Sequence, residues 1–140
     1  MAIEAWNGKK ARNWETAIWK KYGVYLAIIE LVFSIFNDVR KNKNEVAEED
    51  RGDKLFGIVQ ELIIYGSDQV VKKFSKWKSL SAMGGEESIV LITEVIIEIR
   101  KDMGNQNTTM DMHDLWRMLI TDYDNIKPNL ILAQKRILDK

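Results

Sequence analysis

An all-α helical bundle is the fold this sequence predicts, and three observations carry the prediction. In the stretch 86–104, EESIVLITEVIIEIRKDMG, residues Ile89, Ile92, Ile96, Ile99 and Met103 recur at alternating steps of three and four, the spacing of a helix seam. A second seam runs through Ile18, Tyr22, Tyr25, Ile29, Val32, Phe36 and Val39 with the same alternation. The 140 residues are 46% apolar and 30% charged with one Pro and eight Gly, which suits packed helices better than a turn-rich sandwich or a disordered tail.

The second seam predicts a long first helix over 13–41, with Asn13 as N-cap and Glu15 in the first turn. Gly23 inside it implies a close neighbour or a local bend. The polar, charged stretch 41–53 has no apolar face and reads as a loop. From about Asp53 a second helix presents Leu55, Ile58, Val59, Leu62 and Ile63 at amphipathic spacing, and it breaks at Tyr65-Gly66-Ser67. There Gly66 is expected to take the left-handed conformation that closes a helix, and Ser67 to cap the next one with Asp68 favoured by its dipole.

A third helix over 68–83 buries Val70, Val71, Phe74, Trp77 and Leu80 and turns Lys72, Lys73, Lys76 and Lys78 to water. The central helix, 86–104, ends at Gly104 with Arg100 and Lys101 in its last turn. Two short C-terminal helices follow the 105–109 loop. One, over 111–121, carries Leu115, Met118 and Leu119 on one side with Trp116 and Ile120 beside them. The other starts with Pro128 in its first turn and carries Leu130, Ile131, Gln134, Ile137 and Leu138. The domain reading is a basic, flexible lead-in over 1–12 and a single helical-bundle domain over 13–140.

Twenty-one basic and twenty-one acidic residues leave a formal net charge of zero, so no global field favours nucleic acid. The charges fall in blocks that are expected to pair with one another in the fold. A chain with no Cys has no disulfide, thiolate or zinc-thiolate chemistry, and its composition is compatible with the cytoplasm. His113 is the only histidine, which excludes a histidine pair or a His-based triad within one chain, and it reads as a surface residue. The acidic run Glu45, Glu48, Glu49, Asp50 and Asp53 lacks the ligand periodicity of a calcium loop, so no metal and no cofactor are expected. Asp111, Asp114, Asp122 and Asp124 read as helix caps and surface charge.

The candidate binding residues are Ser67, Asp68, Arg100 and Asp102. A guanidinium directly after an apolar seam can join helices through a carboxylate, or bind an anion beside the Ser67 helix N-terminus. Trp77 and Trp116 sit on apolar faces and read as core. Trp14 and Trp19 flank a basic N-terminal patch instead.

Three segments, Trp14-Glu15-Thr16 with Trp19-Lys20-Lys21, Tyr65-Gly66-Ser67-Asp68, and Ile99-Arg100-Lys101-Asp102-Met103-Gly104, resemble a group of poorly characterised bacterial proteins. Those proteins have one N-terminal transmembrane helix followed by a soluble helical domain. The resemblance spans 9–124 and implies architecture only; it carries over no activity and no catalytic residue. This chain departs from the pattern in lacking the membrane span. Trp6, Lys9, Lys10 and Arg12 nevertheless form the interfacial Trp and positive cluster expected just cytoplasmic of one.

The leading functional expectation is a non-enzymatic interaction or scaffold module, with a protein partner that includes a second copy bound through the first helix, at the inner face of the membrane. A small-ligand or enzymatic domain using Arg100, Asp102 and nearby acids is the alternative. A nucleic-acid accessory role for the Lys72–Lys78 face is the weaker one.

Overall fold

Six helices make up the described residues of the computed structural model: α1 (Ala2–Lys41), α2 (Glu48–Tyr65), α3 (Asp68–Leu80), α4 (Gly85–Asp102), α5 (Met112–Leu119) and α6 (Tyr123–Leu138), with no strand among them. Backbone is described for residues 2–41, 48–80 and 85–139, and side chains for 13–36, 52–80 and 85–139. The all-α reading and the break after Tyr65 are as the sequence predicts. The reading of one bundle over 13–140 meets a chain with two compact units, Met1–Gly66 and Ser67–Lys140.

In Met1–Gly66, α1 packs along α2. The helix begins at Ala2, so the start at Asn13 is corrected, and the side chains of the lead-in over 1–12 lie outside the described ones. Likewise α2 begins at Glu48, which shortens the loop expected over 41–53. The buried side of α1 is Val24, Tyr25, Ile28, Leu31 and Val32, facing Ile58 and Leu62 of α2. Of the predicted seam only Tyr25 and Val32 are fully buried, while Ile18 and Tyr22 are exposed. Val39 lies outside the described side chains. Gly23 has no close neighbour, since a Cβ there would meet nothing within 4 Å.

The unit Ser67–Lys140 is built around α4, which packs against α3, α5 and α6. Three neighbours explain why its burial goes almost all round: Val90, Leu91, Ile92, Thr93, Val95 and Ile99 are buried, while Ile89 and Ile96 of the predicted seam are half-buried and Met103 is exposed. From α3 come Val70, Phe74 and Trp77, from α5 Leu115 and Trp116, and from α6 Tyr123, Leu130, Ala133 and Ile137. Trp77 and Trp116 are core, as predicted. Met118 and Leu138 are not: they are 77% and 83% exposed.

Local chemistry sets the helix ends. Ser67 Oγ accepts from Val70 N at 3.2 Å, the predicted cap of α3. Gly66 is not in the left-handed region; its N–H donates to Leu62 O at 2.9 Å. A Cβ there would lie 2.7 Å from Leu62 Cδ1 and 2.8 Å from Leu62 O, so close approach explains this glycine. Gly104 does take positive φ, at 107°. With Asn105 N donating to Arg100 O and Gly104 N to Lys101 O, it closes α4 in a Schellman motif. Finally, α6 starts at Tyr123 and holds Pro128 in its interior, not its first turn. The carbonyl that this proline leaves without a helical donor belongs to Asp124, an exposed residue that water can serve.

Candidate functional site

The predicted binding residues gather at one end of the α3–α4 pair. Trp77 Nε1 donates to Ser88 Oγ at 3.2 Å and Lys73 pairs with Glu94 at 3.4 Å, so the two helices run antiparallel with the start of α3 level with the end of α4. Ser67 is committed to capping. Asp68 is exposed in the first turn, and Asp102 is half-buried and engaged in interactions of its own. Arg100 is exposed, and its Nε donates to Thr108 Oγ1 at 3.3 Å. Thr108 belongs to a loop whose open concavity, about 500 Å³, is lined by Gly104, Asn105, Gln106, Asn107 and Thr108.

Between α4, α5 and α6 lies a polar network set in the core. Trp116 Nε1 donates to Thr93 Oγ1 at 2.9 Å, and Thr93 donates onward to Ile89 O at 2.6 Å. Both side chains are buried, so every donor in this chain has an acceptor. His113 is half-buried instead of lying on the surface: its Nδ1 shares a hydrogen bond with the Tyr123 hydroxyl, and its ring meets Trp116 edge-on at 5.0 Å. Arg117 lies 5.5 Å from the centre of the Tyr123 ring, within cation–π range, and also pairs with Asp114 at 3.2 Å.

Asp111 heads α5 through a capping box, accepting from Asp114 N while its own N–H donates to the Asp114 carboxylate. That backbone donation holds the Asp111 carboxyl below its ordinary range, aided by the charges of His113 and Arg117. No group of acids and histidine suited to a metal ion occurs among the described residues. The acids Glu45, Glu48, Glu49 and Asp50 lie outside the described side chains. The lysine block does not face water as a whole, because Lys73 is half-buried against Glu94.

A broader surface lies on Met1–Gly66. Ile18, Tyr22, Leu26 and Phe33 on α1 are 42–54% exposed, and Phe56 and Ile63 on α2 are 66% and 72% exposed. At 100° per residue each of these stripes lies about 130–140° around its helix from the buried side, in the chain direction on both. A short connection makes the two helices antiparallel, so equal rotations carry both stripes to the same side of the pair. The half-buried Ile29, Phe36, Leu55 and Val59 fill the space between the stripes. Between Ile18 and Phe36 and between Leu55 and Ile63 no Asp, Glu, Lys or Arg falls within this stripe: Lys21 lies on the buried line, Glu30 just past the edge next to Leu26 and Phe33, and Lys20, Lys54 and Glu61 farther round. The layer thus concentrates its exposed apolar side chains on one side, while Lys20, Lys54 and Glu61 lie on the other.

This surface differs from the predicted seams. Ile63 was expected to be buried with Leu62, but on a helix with one neighbour only the Ile58–Leu62 line is covered. Phe56 and Ile63, seven residues apart and off that line, are the sequence signal that marks the second stripe. Comparison with protein families, curated proteins and solved structures finds no match to this chain. No helix among the described residues is long and apolar enough to cross a membrane.

Proposed function

We propose that the chain is a non-enzymatic helical interaction module whose working surface is the apolar side of the α1–α2 layer. One observation carries this reading: large apolar side chains from both helices are exposed together on one uncharged side. Contiguous apolar surface of this size is favourable to cover and unfavourable to leave wet. The test is recovery of crosslinked proteins from native lysate by the immobilised chain, compared with a Phe33→Glu/Phe56→Glu variant that retains helical circular dichroism. Loss of a defined set of proteins in the variant supports the reading, and identical recovery rejects it. Placement at an inner membrane face rests on Trp6, Lys9, Lys10 and Arg12, whose side chains lie outside the described ones. Sedimentation with anionic vesicles, before and after replacing the three cations, tests that finer reading.

A second reading, binding of a small anion, is favoured by the position of Arg100 on Thr108 at the edge of the 104–108 concavity. Titration with inorganic phosphate, followed by amide shifts in 100–108, should show saturable movement that Arg100→Ala abolishes. Equal movement in the variant rejects it.

A further inference from the structure

We propose that the occupant of the apolar α1–α2 surface is a second copy of this chain, the two layers meeting face to face about a two-fold axis to form a four-helix core. This deepens the interaction reading and rests on it.

Area is the first argument. From their fractional exposures, Ile18, Tyr22, Leu26, Phe33, Phe56 and Ile63 leave roughly 700 Å² open, close to the roughly 800 Å² per partner that a standard specific interface buries. Charge is the second. A surface free of charge across its middle is compatible with its own copy, because no like charges are brought together, whereas an acidic or basic partner would find no complement there.

Geometry is the third. Counting outward equally from the connection places Leu26 level with Ile63 and Phe33 level with Phe56, so α1 and α2 contribute matched rows over that length, and Ile18 and Tyr22 continue the α1 row past the end of α2. Two such layers, each helix already covered on one side, supply what a four-helix bundle needs: two covered sides per helix around a shared apolar centre. A lipid surface fits less well. The charges nearest this side are Glu15 at its end and Glu30 beyond its edge, not the row of lysines that an anionic membrane would select.

The test uses the purified full chain in size-exclusion chromatography with light scattering at two concentrations a hundredfold apart. The expected mass is twice 16.3 kDa. Ile63 and Ile64 provide an internal control, since both are 72% exposed but only Ile63 lies on the apolar side. Ile63→Glu is expected to halve the mass with helical circular dichroism retained, and Ile64→Glu to leave it unchanged. Should Ile63→Glu lose helical signal, Leu26→Lys is read in its place with the same expectation.

A wild-type monomer at both concentrations overturns the proposal. So does equal dissociation by Ile63→Glu and Ile64→Glu, or a dimer that survives a Phe33→Glu/Ile63→Glu double change. A monomer whose recovery of other proteins still depends on Phe33 and Phe56 rejects self-association alone and leaves the interaction reading standing. A monomer without that dependence rejects both.

Discussion

Thr93 shows how a single hydroxyl organises the Ser67–Lys140 core. It sits midway along a helix buried on nearly every side, where an apolar residue would satisfy packing, yet it accepts from the Trp116 indole and donates to the Ile89 carbonyl. Thr93→Val keeps the shape and leaves the buried indole N–H without an acceptor, so stability should fall by about 1–3 kcal/mol. Urea unfolding followed by Trp fluorescence reads it, and a valine variant as stable as the wild type would sink the argument.

Two glycines make a paired test at the same scale. Gly104 is required by its φ of 107°, with open space where a Cβ would go, while Gly66 is required by the Leu62 atoms at 2.7 and 2.8 Å. Alanine should cost about 1–3 kcal/mol at either site, from backbone strain at one and overpacking at the other. Asparagine separates the causes. It tolerates positive φ, so Gly104→Asn should be milder than Gly104→Ala, whereas Gly66→Asn, larger than alanine, should be no milder. The same order at both positions would contradict this assignment.

At the level of whole helices, α5 is the element most dependent on its end. It has eight residues, and a helix that short does not stand on propensity alone. Asp111, accepting from Asp114 N, has its carboxyl held below the ordinary range. A carboxyl lowered in the folded state contributes stability that is fully present above its unfolded pKa of about 3.9, and that contribution disappears as pH falls through the lower folded value. Amide protection in 112–119, taken relative to intrinsic exchange at each pH, should therefore fall below about pH 4. Asp111→Asn keeps a capping oxygen without the titration, and its α5 amides should lose that acid limb; an unchanged limb would place the effect elsewhere.

Element type was legible in the chain because each helix carries a period near 3.6 and its own punctuation. Ser67 marked a cap, Gly104 a closure, and the run around Ile92 a helix. The buried side was less legible. Periodicity identifies an apolar stripe without saying how many neighbours cover it, and α1 carries two adjacent stripes, so the seam through Ile18 and Tyr22 competed with the one through Val24, Ile28 and Leu31. In α4 the opposite held, since three packing partners made a single seam too narrow a description. Pro128 misled for a related reason: local preference places proline in a first turn, but burial of Tyr123 extends α6 upstream of it. Of the candidate sites, Arg100 was legible as a residue, whereas its Thr108 partner depends on how the 104–108 loop returns. The α1–α2 surface was invisible as a unit because it is made by the pairing of two helices.

For the whole molecule, the two units differ in how far they can bury themselves. In Ser67–Lys140 three helices surround α4, while in Met1–Gly66 two helices pack on each other and leave an apolar side open. If the proposed association through that side occurs and the two units unfold independently, the stability of Met1–Gly66 depends on protein concentration and that of Ser67–Lys140 does not. For a dimer, each tenfold rise in concentration adds about 1.4 kcal/mol to the free energy of the associated unit. With denaturant slopes of about 1–3 kcal/mol per molar in urea, its midpoint should rise by about 0.5–1.4 M per decade. The tryptophans allow the units to be followed separately, because Trp6, Trp14 and Trp19 lie in the first and Trp77 and Trp116 in the second. Replacing the first three with Phe leaves a fluorescence reporter of Ser67–Lys140, whose transition should stay fixed across a hundredfold dilution. Wild-type circular dichroism should meanwhile show an earlier transition that moves with concentration. If neither transition moves, Met1–Gly66 is stable without a second copy, and the apolar side of α1 and α2 must be explained by a different partner.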